Sequence, residues 1–226
     1  MAAGKKKYDS YPSPRGIAKY VHLSQPQTYK GKTTYSVELI LDPNAQSTKD
    51  FIAFIEAQEQ AGFTEAKKMH PKAVLKSKLW KPETNKDSDG NQIPTGKVVV
   101  KFAHLASGKT KDGGVWDFTP TLVDAKRVPL PKGIVIFGGS TVIVSYIITH
   151  TVMPGGDGGE PDKYYAKLSL NGAQVLDLKD SFTRDPASLG FAVEDGYSSE
   201  DAFGEQVTDG GADAEEQATG GPVVDF

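Results

Sequence analysis

The sequence predicts a mainly β fold: a closed or partly open barrel of five to seven strands with one main α-helix inserted after the early strands. Apolar and polar residues alternate over several short segments, which is typical of strands that bury one face. One early segment instead has apolar residues at helical spacing. Turn residues such as Asp42-Pro43 and Asp89-Gly90 separate these segments. Short strands with turns between them favour a small barrel.

The first elements can be placed in order along the chain. Residues 1–16 are polar, contain Pro12 and Pro14, and predict a flexible basic N-terminal arm. Residues 17–23 alternate in polarity and predict a first strand. Residues 32–41 predict a clearer strand, since four apolar side chains share one of its faces: Tyr35, Val37, Leu39 and Leu41.

A helix is predicted next. Ser47 has the side-chain chemistry of an N-cap, with Asp50 three residues further on in a capping-box arrangement. An apolar stripe follows at residues 51–55, and Gly62 is predicted to end the helix. Residues 64–69 predict a second, weaker helical stretch before Pro71.

The remaining strands follow from residue 72 onward. Residues 72–95 predict a long basic strand and loop around Trp80. Residues 96–108 and 114–124 predict two strands that are joined by a loop rich in lysine and glycine. Residues 141–152 are apolar on both faces, which predicts a strand that is buried on both sides. Residues 164–178 predict a closing hairpin that turns at Asn171-Gly172.

Charge divides the chain into a basic body and an acidic tail. Residues 185–226 contain 11 of the 29 acids and none of the 26 lysines and arginines, which leaves residues 1–184 with 18 acids and a formal charge of +8. Such asymmetry indicates a polyanionic partner or an interaction tail. We therefore predict a binding domain over 17–184 and a disordered acidic tail over 185–226, since the tail has too little apolar content to offset its ordering entropy.

Several function classes have no support in the sequence. There is no cysteine, hence no disulfide framework and no thiolate metal site, and no cofactor is expected. No apolar run approaches the length of a membrane span, and the lysine-rich start does not continue as a secretion signal. The four histidines are scattered without ligand spacing, and no nucleophile or phosphate-loop motif is present. The chain is therefore not expected to be an enzyme.

Aromatic residues interleaved with lysines form the pattern that indicates a binding function. Single-stranded nucleic acids bind where a cationic groove follows the phosphates and aromatic rings stack on bases. Phe102, Phe118 and Tyr146 are explained as well or better as core residues. Exposure is favoured for Trp80, and both alternatives stay open for Trp116 and Tyr165. The predicted DNA-binding residues are Lys30, Lys32, Tyr35, Lys78, Trp80, Lys81, Lys97, Lys101, Phe102, Lys109, Lys111, Trp116, Tyr165 and Lys167.

Taken together, four segments resemble the single-stranded DNA-binding proteins of T-odd coliphages and related tailed phages. They are KTTYSVELILDP with the helix after it, GKVVVKFAHLASGKTKDGG, VPLPKGIVIFGGSTVIVSYIITHTV, and the acidic tail that closes in Asp225-Phe226. They span about two-thirds of the chain. The sequence departs from that family in a tail richer in glycine, and in having Thr151-Val152-Met153 where the family has Tyr-x-Trp. Tyr164 and Tyr165 are the candidates to substitute for those rings.

The resemblance implies an OB-fold protein that coats single-stranded DNA during phage replication, recombination and repair in the cytoplasm of an infected bacterium. It also implies that the tail competes with DNA for the groove and contacts a polymerase or helicase through Asp225 and Phe226. A homodimer is compatible with it. The alternative is a non-catalytic phage adaptor or structural protein that uses the barrel for assembly and the tail for a partner. RNA binding also stays open, because stacking and phosphate contacts do not distinguish the two sugars.

Overall fold

The computed structural model describes residues 9–110, 112–156 and 159–179. The strands are β1 (Tyr11–Pro12), β2 (Gly16–Tyr29), β3 (Lys32–Leu41), β4 (Val74–Leu75), β5 (Trp80–Lys86), β6 (Gln92–Leu105), β7 (Ser107–Lys109), β8 (Val115–Asp117), β9 (Thr121–Val123), β10 (Thr141–Met153) and β11 (Lys163–Asp177), and helix α1 (Gln46–Met69) lies between β3 and β4. The predicted fold class is confirmed: the chain is mainly β and OB-fold-like, with one helix after the early strands.

Seven strands form one hydrogen-bonded path in the order β4-β11-β10-β2-β3-β6-β5. Strand β1 adds to β10 and β9 to β11, while β7 and β8 form a separate hairpin. The end strands β4 and β5 do not pair with each other in the described part of the chain, so the barrel is partly open. Its core is built by alternate residues: Val37 and Leu39 of β3, Val100 of β6 and Val144 of β10 are fully buried.

Helix α1 differs from its prediction at both ends. It begins at Gln46 after Ala45, and no side chain caps it, so the prediction of Ser47 as N-cap is wrong. It also continues past Gly62 and includes the predicted second stretch. A side chain at Gly62 would collide with Tyr164 and His150. Glycine is therefore tolerated here because it lets the helix approach β10 and β11 closely, which offsets its low helix propensity.

The late strands correct two further expectations. Strand β11 runs through Asn171-Gly172, so the predicted hairpin there is wrong. Ser145 of β10 pairs with Gly172, and the next residue of β10 pairs with Leu170, which leaves Asn171 as the extra residue of a bulge. Gly172 is needed because the carbonyl oxygen of Thr121 lies 2.5 Å from the position that a Cβ would take, which is too close for a side chain. Strand β10 was expected to be buried on both faces. One face is buried, and the other is only half-buried.

Among the residues that the structure describes, no helix is long and apolar enough to cross a membrane.

Candidate nucleic-acid interface

The outward side chains of β2, β3, β5 and β6 form a continuous surface, which we call the groove face. Its members are Ile17, Lys19, His22, Ser36, Glu38, Ile40, Lys81, Lys97, Lys101 and Ala103, and Val99 lies on the same side of β6 but is almost fully buried beneath them. They point outward because the residues between them on β3 and β6, such as Leu39, Val98 and Val100, fill the core. Strand register arranges them in rows across the sheet.

The first row is apolar, because Ile17 of β2 lies beside Ile40 of β3, which lies beside Val99 of β6; Lys81 of β5 completes the row. The second row is charged and contains Lys19, Glu38 and Lys101. The third row is polar and contains His22, Ser36 and Ala103. A cleft of about 760 Å³ is lined by Val99 and Lys81 of the first row and by Lys19 and Glu38 of the second, and it reaches Lys86 on β5.

Lysines outnumber carboxylates on this surface and its rim. Lys19 pairs with Glu83 at 3.0 Å and Lys81 with Glu38 at 3.5 Å. For Lys86, Lys97 and Lys101, no carboxylate of the described residues lies within salt-bridge distance. Five lysines therefore face two glutamates, and three of the lysines are available to an anionic ligand.

Glu83 organises the lysines at one side of the cleft. Its side chain is buried, accepts hydrogen bonds from Thr95 at 2.8 Å and from Lys19 at 3.0 Å, and lies near Lys97. Burial alone raises the pKa of the Glu83 carboxyl. The two hydrogen bonds and the lysine charges outweigh burial, so its pKa lies below the ordinary value. The carboxylate is thus ionised at neutral pH and holds Lys19 over the groove face.

Two hairpins extend the groove face at the end where β3 begins. The β2–β3 turn carries Tyr29 and Lys30, with the Lys30 ammonium 5.4 Å from the centroid of the exposed Tyr29 ring. The chain after β6 enters the β7–β8 hairpin beside it, because the Ala106 amide donates to Thr33 at 2.9 Å. Exposed Lys32 and Lys109 therefore lie at this same end.

A chain of aromatic rings leads from the core into the β7–β8 hairpin. Tyr35 contacts Phe118, Phe118 lies 4.0 Å from the His104 ring, and His104 meets the Trp116 ring edge-on at 5.6 Å. Trp116 packs against Gly108, where a side chain would collide with the indole. The half-buried indole is thereby fixed in the hairpin that carries Lys109, in a position suited to stack on a base.

Several predicted site residues lie elsewhere. Phe102 is fully buried and Tyr35 nearly so, and both belong to the core. Their rings offer no face to a ligand, so the prediction that they contact DNA is not compatible with the structure. The physical reason is strand alternation, which turns Phe102 inward and its neighbour Lys101 outward. Lys111, Asp225 and Phe226 lie outside the described residues.

Trp80 and Lys78 belong to a different surface. Trp80 is on the opposite face of β5 from Lys81, and its indole N–H donates to the Glu56 carboxylate of α1 at 2.8 Å. Trp80, Glu56, Glu59, Ser77 and Lys78 line a second opening of about 320 Å³, which we call the helix-side cleft. It adjoins the first cleft, since Lys81 and Pro82 line both. Its two glutamates oppose phosphate binding. The predicted exposure of Trp80 is only partial, since the ring is half-buried.

Tyr165 and Lys167 occupy a third place, on β11 opposite Thr151 and Thr149 of β10. Tyr165 is half-buried and Lys167 exposed. In the hydrogen-bonded path, β10, β2 and β3 separate this strand from β6, and β11 does not pair with β6, although the two strands come close in the partly open barrel. The structure therefore brings together Lys81, Lys97 and Lys101 on the groove face, and Lys30, Lys32, Lys109 and Trp116 at its hairpin end. It does not place the β11 pair with either group.

Sequence reasoning missed Lys19, Tyr20, Tyr29 and Lys86. Tyr20 and Tyr29 are 66% and 68% exposed, more than any ring that was predicted. Each lies directly beside a lysine in sequence, which was the available signal. The exposure of Tyr20 depends on a backbone irregularity that no sequence pattern indicated.

The comparisons with known proteins find similar solved structures. The fold is similar to that of gp2.5, a single-stranded DNA-binding protein encoded by bacteriophage T7, with a TM-score of 0.61 and 18% sequence identity over 85% of this chain and 99% of that one. The single-stranded DNA-binding protein from bacteriophage Enc34, in complex with single-stranded DNA, aligns with a TM-score of 0.44 and 20% identity over 76% of this chain and 87% of that one. No protein-family model and no curated protein matches the sequence. The resemblance predicted from the sequence is thus confirmed at the level of the fold, which this chain shares with the T7 protein.

Proposed function

We propose that this protein binds single-stranded DNA without sequence preference along the groove face and the two hairpins at its end. The observation that carries the proposal is a cleft lined by Lys19, Lys81 and Lys86. Lys97 and Lys101 are exposed on the neighbouring strand β6, and they and Lys86 have no carboxylate partner among the described residues. The fold shared with a phage single-stranded DNA-binding protein supports it.

The physical argument treats phosphates and bases separately. Lysines are point charges that attract phosphates of any sequence, and the bound strand releases its counterions. Tyr29 and Trp116 offer ring faces, and every base has a face that stacks on an aromatic ring. The groove face and hairpins thus supply charge and stacking surfaces, which favours binding that tolerates any sequence. The proposal includes no catalytic step and no cofactor.

The biological role we propose is the coating of single-stranded DNA in phage replication and recombination within the bacterial host. The acidic tail would compete with DNA for the groove, because a tethered segment with a charge of −11 has a high effective concentration near a +8 domain. DNA binding would release the tail, and Asp225 and Phe226 would then bind a replication protein such as a polymerase or helicase. A homodimer stays a prediction.

The experiment is a titration of the full-length protein and of residues 1–184 with oligothymidine and with duplex DNA at two salt concentrations. We expect preference for the single strand, and a log–log salt slope of about −0.7 for each phosphate contacted. Removal of the tail should raise the affinity. Preference for duplex would overturn the proposed function, whereas unchanged or weaker binding by residues 1–184 would overturn only the competition by the tail.

A further inference from the structure

An apolar cleft lies beside the groove face, between β2 and the loop of residues 134–139. It has a volume of about 640 Å³, within the range of small-molecule sites. Ile17, Tyr20 and Val21 of β2 form one wall, and Val135 and Phe137 of the loop form the other. Three of the ten large hydrophobic residues that are exposed in the described part of the chain line it: Ile17, Tyr20 and Val135. Such clustering of exposed apolar side chains marks a binding surface.

Backbone hydrogen bonds hold the cleft open. The Gly139 amide donates to the Ala18 carbonyl at 2.8 Å, and the Ala18 amide donates to the Ser140 carbonyl at 2.8 Å. These bonds fix the loop to β2 next to Tyr20. Ser140 is fully buried, and its hydroxyl accepts a hydrogen bond from the Lys179 amide at 3.1 Å. Both walls are therefore preformed, which reduces the entropic cost of binding.

Tyr20 is exposed because the backbone turns it outward. Between Lys19 and His22 the register of β2 against β3 shifts, and Tyr20 has a φ of +49°. A bulky residue in this left-handed region is an outlier that costs about 1–3 kcal/mol and persists where the surrounding structure imposes it. β-Bulges commonly re-aim a side chain at a binding site. Here the bulge presents the ring at the boundary between two clefts.

The two clefts share Lys19 and Tyr20. One is lined by lysines, the other by apolar side chains, and this division matches the two parts of a nucleotide. A strand with its phosphates along Lys101, in the same row as Lys19, would have bases within reach of the apolar cleft. Because the lysine-lined cleft suits the phosphates of a strand, the adjoining apolar cleft suits a base of the same strand.

We propose that the apolar cleft receives an unstacked nucleobase of the bound strand, which packs on Tyr20 and between Ile17 and Phe137. The inference rests on the proposed function and adds a base site to it. It also gives a reason for discrimination against duplex: a base must leave its stack and its pair to enter, which costs a few kcal/mol in duplex and much less in a single strand.

The test distinguishes contacts of the Tyr20 ring with a base from contacts of the lysines with phosphates, because both the protein and the oligomer are varied. Wild type, Tyr20→Gly and Tyr20→Phe are titrated with oligothymidine and with an abasic deoxyribose-phosphate oligomer of equal length. Tyr20→Gly removes the ring and suits the positive φ, so the variant should fold at least as well as wild type. Met69→Ala, which removes an exposed apolar side chain from the end of α1, is the matched control.

We expect Tyr20→Gly to weaken oligothymidine binding by about 5- to 150-fold, the equivalent of the stacking of one base. Binding of the abasic oligomer should stay unchanged. Tyr20→Phe, which keeps the ring, should recover the oligothymidine binding that Tyr20→Gly loses, and Met69→Ala should bind both oligomers as wild type does. Phe137→Ala should show the same selective loss. Equal losses on both oligomers, or no loss on either, would overturn the base site while leaving single-strand binding intact. Failure of the wild type to bind oligothymidine would instead overturn the proposed function.

Discussion

The groove face and the helix-side cleft contain the same kinds of residue in different arrangements. Both combine lysines with a ring at their edge: Tyr20 in one and Trp80 in the other. On the groove face the ring projects into solvent, and lysines outnumber glutamates. In the helix-side cleft the indole is held by Glu56, and Glu59 accepts a hydrogen bond from Ser77 at 2.5 Å. The comparison teaches that a ring beside lysines in sequence is available to a ligand only if no carboxylate of the fold binds it.

Charge reversal should separate the two regions most strongly. Lys97→Glu combined with Lys101→Glu should weaken oligothymidine binding on the order of 100-fold, about 1.4 kcal/mol for each lysine. The salt slope should become shallower by about 1.4, since two phosphate contacts are lost. The measurement is a fluorescence or gel-shift titration at several salt concentrations.

The matched control for that variant is Lys76→Glu combined with Lys78→Glu, which changes the net charge equally beside the helix-side cleft. Its effect should stay within about threefold, because neither lysine lies on the groove face and salt screens exposed charges. Equal effects of the two double variants would mean that net charge, rather than the groove face, governs binding.

The next largest effect is expected from the two tryptophans, whose substitution should change the affinity for DNA to different extents. Trp116→Ala should weaken binding by about 5- to 150-fold, because the hairpin loses a stacking surface. Trp80→Ala should change affinity less than about twofold and should lower the free energy of unfolding by about 1–3 kcal/mol, since a half-buried ring and its hydrogen bond to Glu56 are lost. Affinity titrations and denaturant unfolding of both variants measure this. The opposite pattern would place DNA at the helix-side cleft.

Glu83→Gln should produce a smaller effect with opposite signs on binding and stability. Loss of a negative charge from the groove should raise affinity by about two- to fivefold at low salt. The free energy of unfolding at pH 7 should fall by about 1–3 kcal/mol, because Lys19 and Thr95 lose a charged partner.

The pH dependence of this variant has a defined direction. The pKa of Glu83 is lower in the folded protein than its ordinary value of 4.5, so its ionised form stabilises the fold above that value. The stability difference between wild type and Glu83→Gln should therefore be full at neutral pH and shrink as the pH falls below about 4.5. A difference that grows in acid would contradict the role given to Glu83.

Local patterns predicted much of the fold. Strand β3 has the bounds that alternation predicted, because every second residue enters one core. The structure departs from prediction where contacts with residues distant in sequence determine the local backbone conformation. Gly62 continues the helix because Tyr164 and His150 pack against it, and Asn171-Gly172 continues a strand because Thr121 of β9 approaches it. None of these three partners is near in sequence to the glycine that it contacts.

The candidate site was predictable in its charge and less so in its rings. Lys97 and Lys101 follow from alternation along β6, since the residues between and beyond them are apolar. The burial of Phe102 follows from the same alternation. Trp80 could not be placed, because its hydrogen-bond partner Glu56 lies on a helix 24 residues away. Tyr20 escaped prediction because its exposure depends on a bulge, which the sequence IAKYVHL does not reveal.

The protein contains two tryptophans: Trp80 lines the helix-side cleft, and Trp116 lies in the β7–β8 hairpin at the end of the groove face. Their indole N–H signals in a ¹H–¹⁵N NMR spectrum, assigned with Trp80→Phe and Trp116→Phe, can be followed while oligothymidine is added. We predict that the Trp116 signal shifts with the binding isotherm and that the Trp80 signal, held by Glu56, stays in place. A shift of the Trp80 signal with an unmoved Trp116 signal would contradict the assignment of DNA to the groove face and its hairpins.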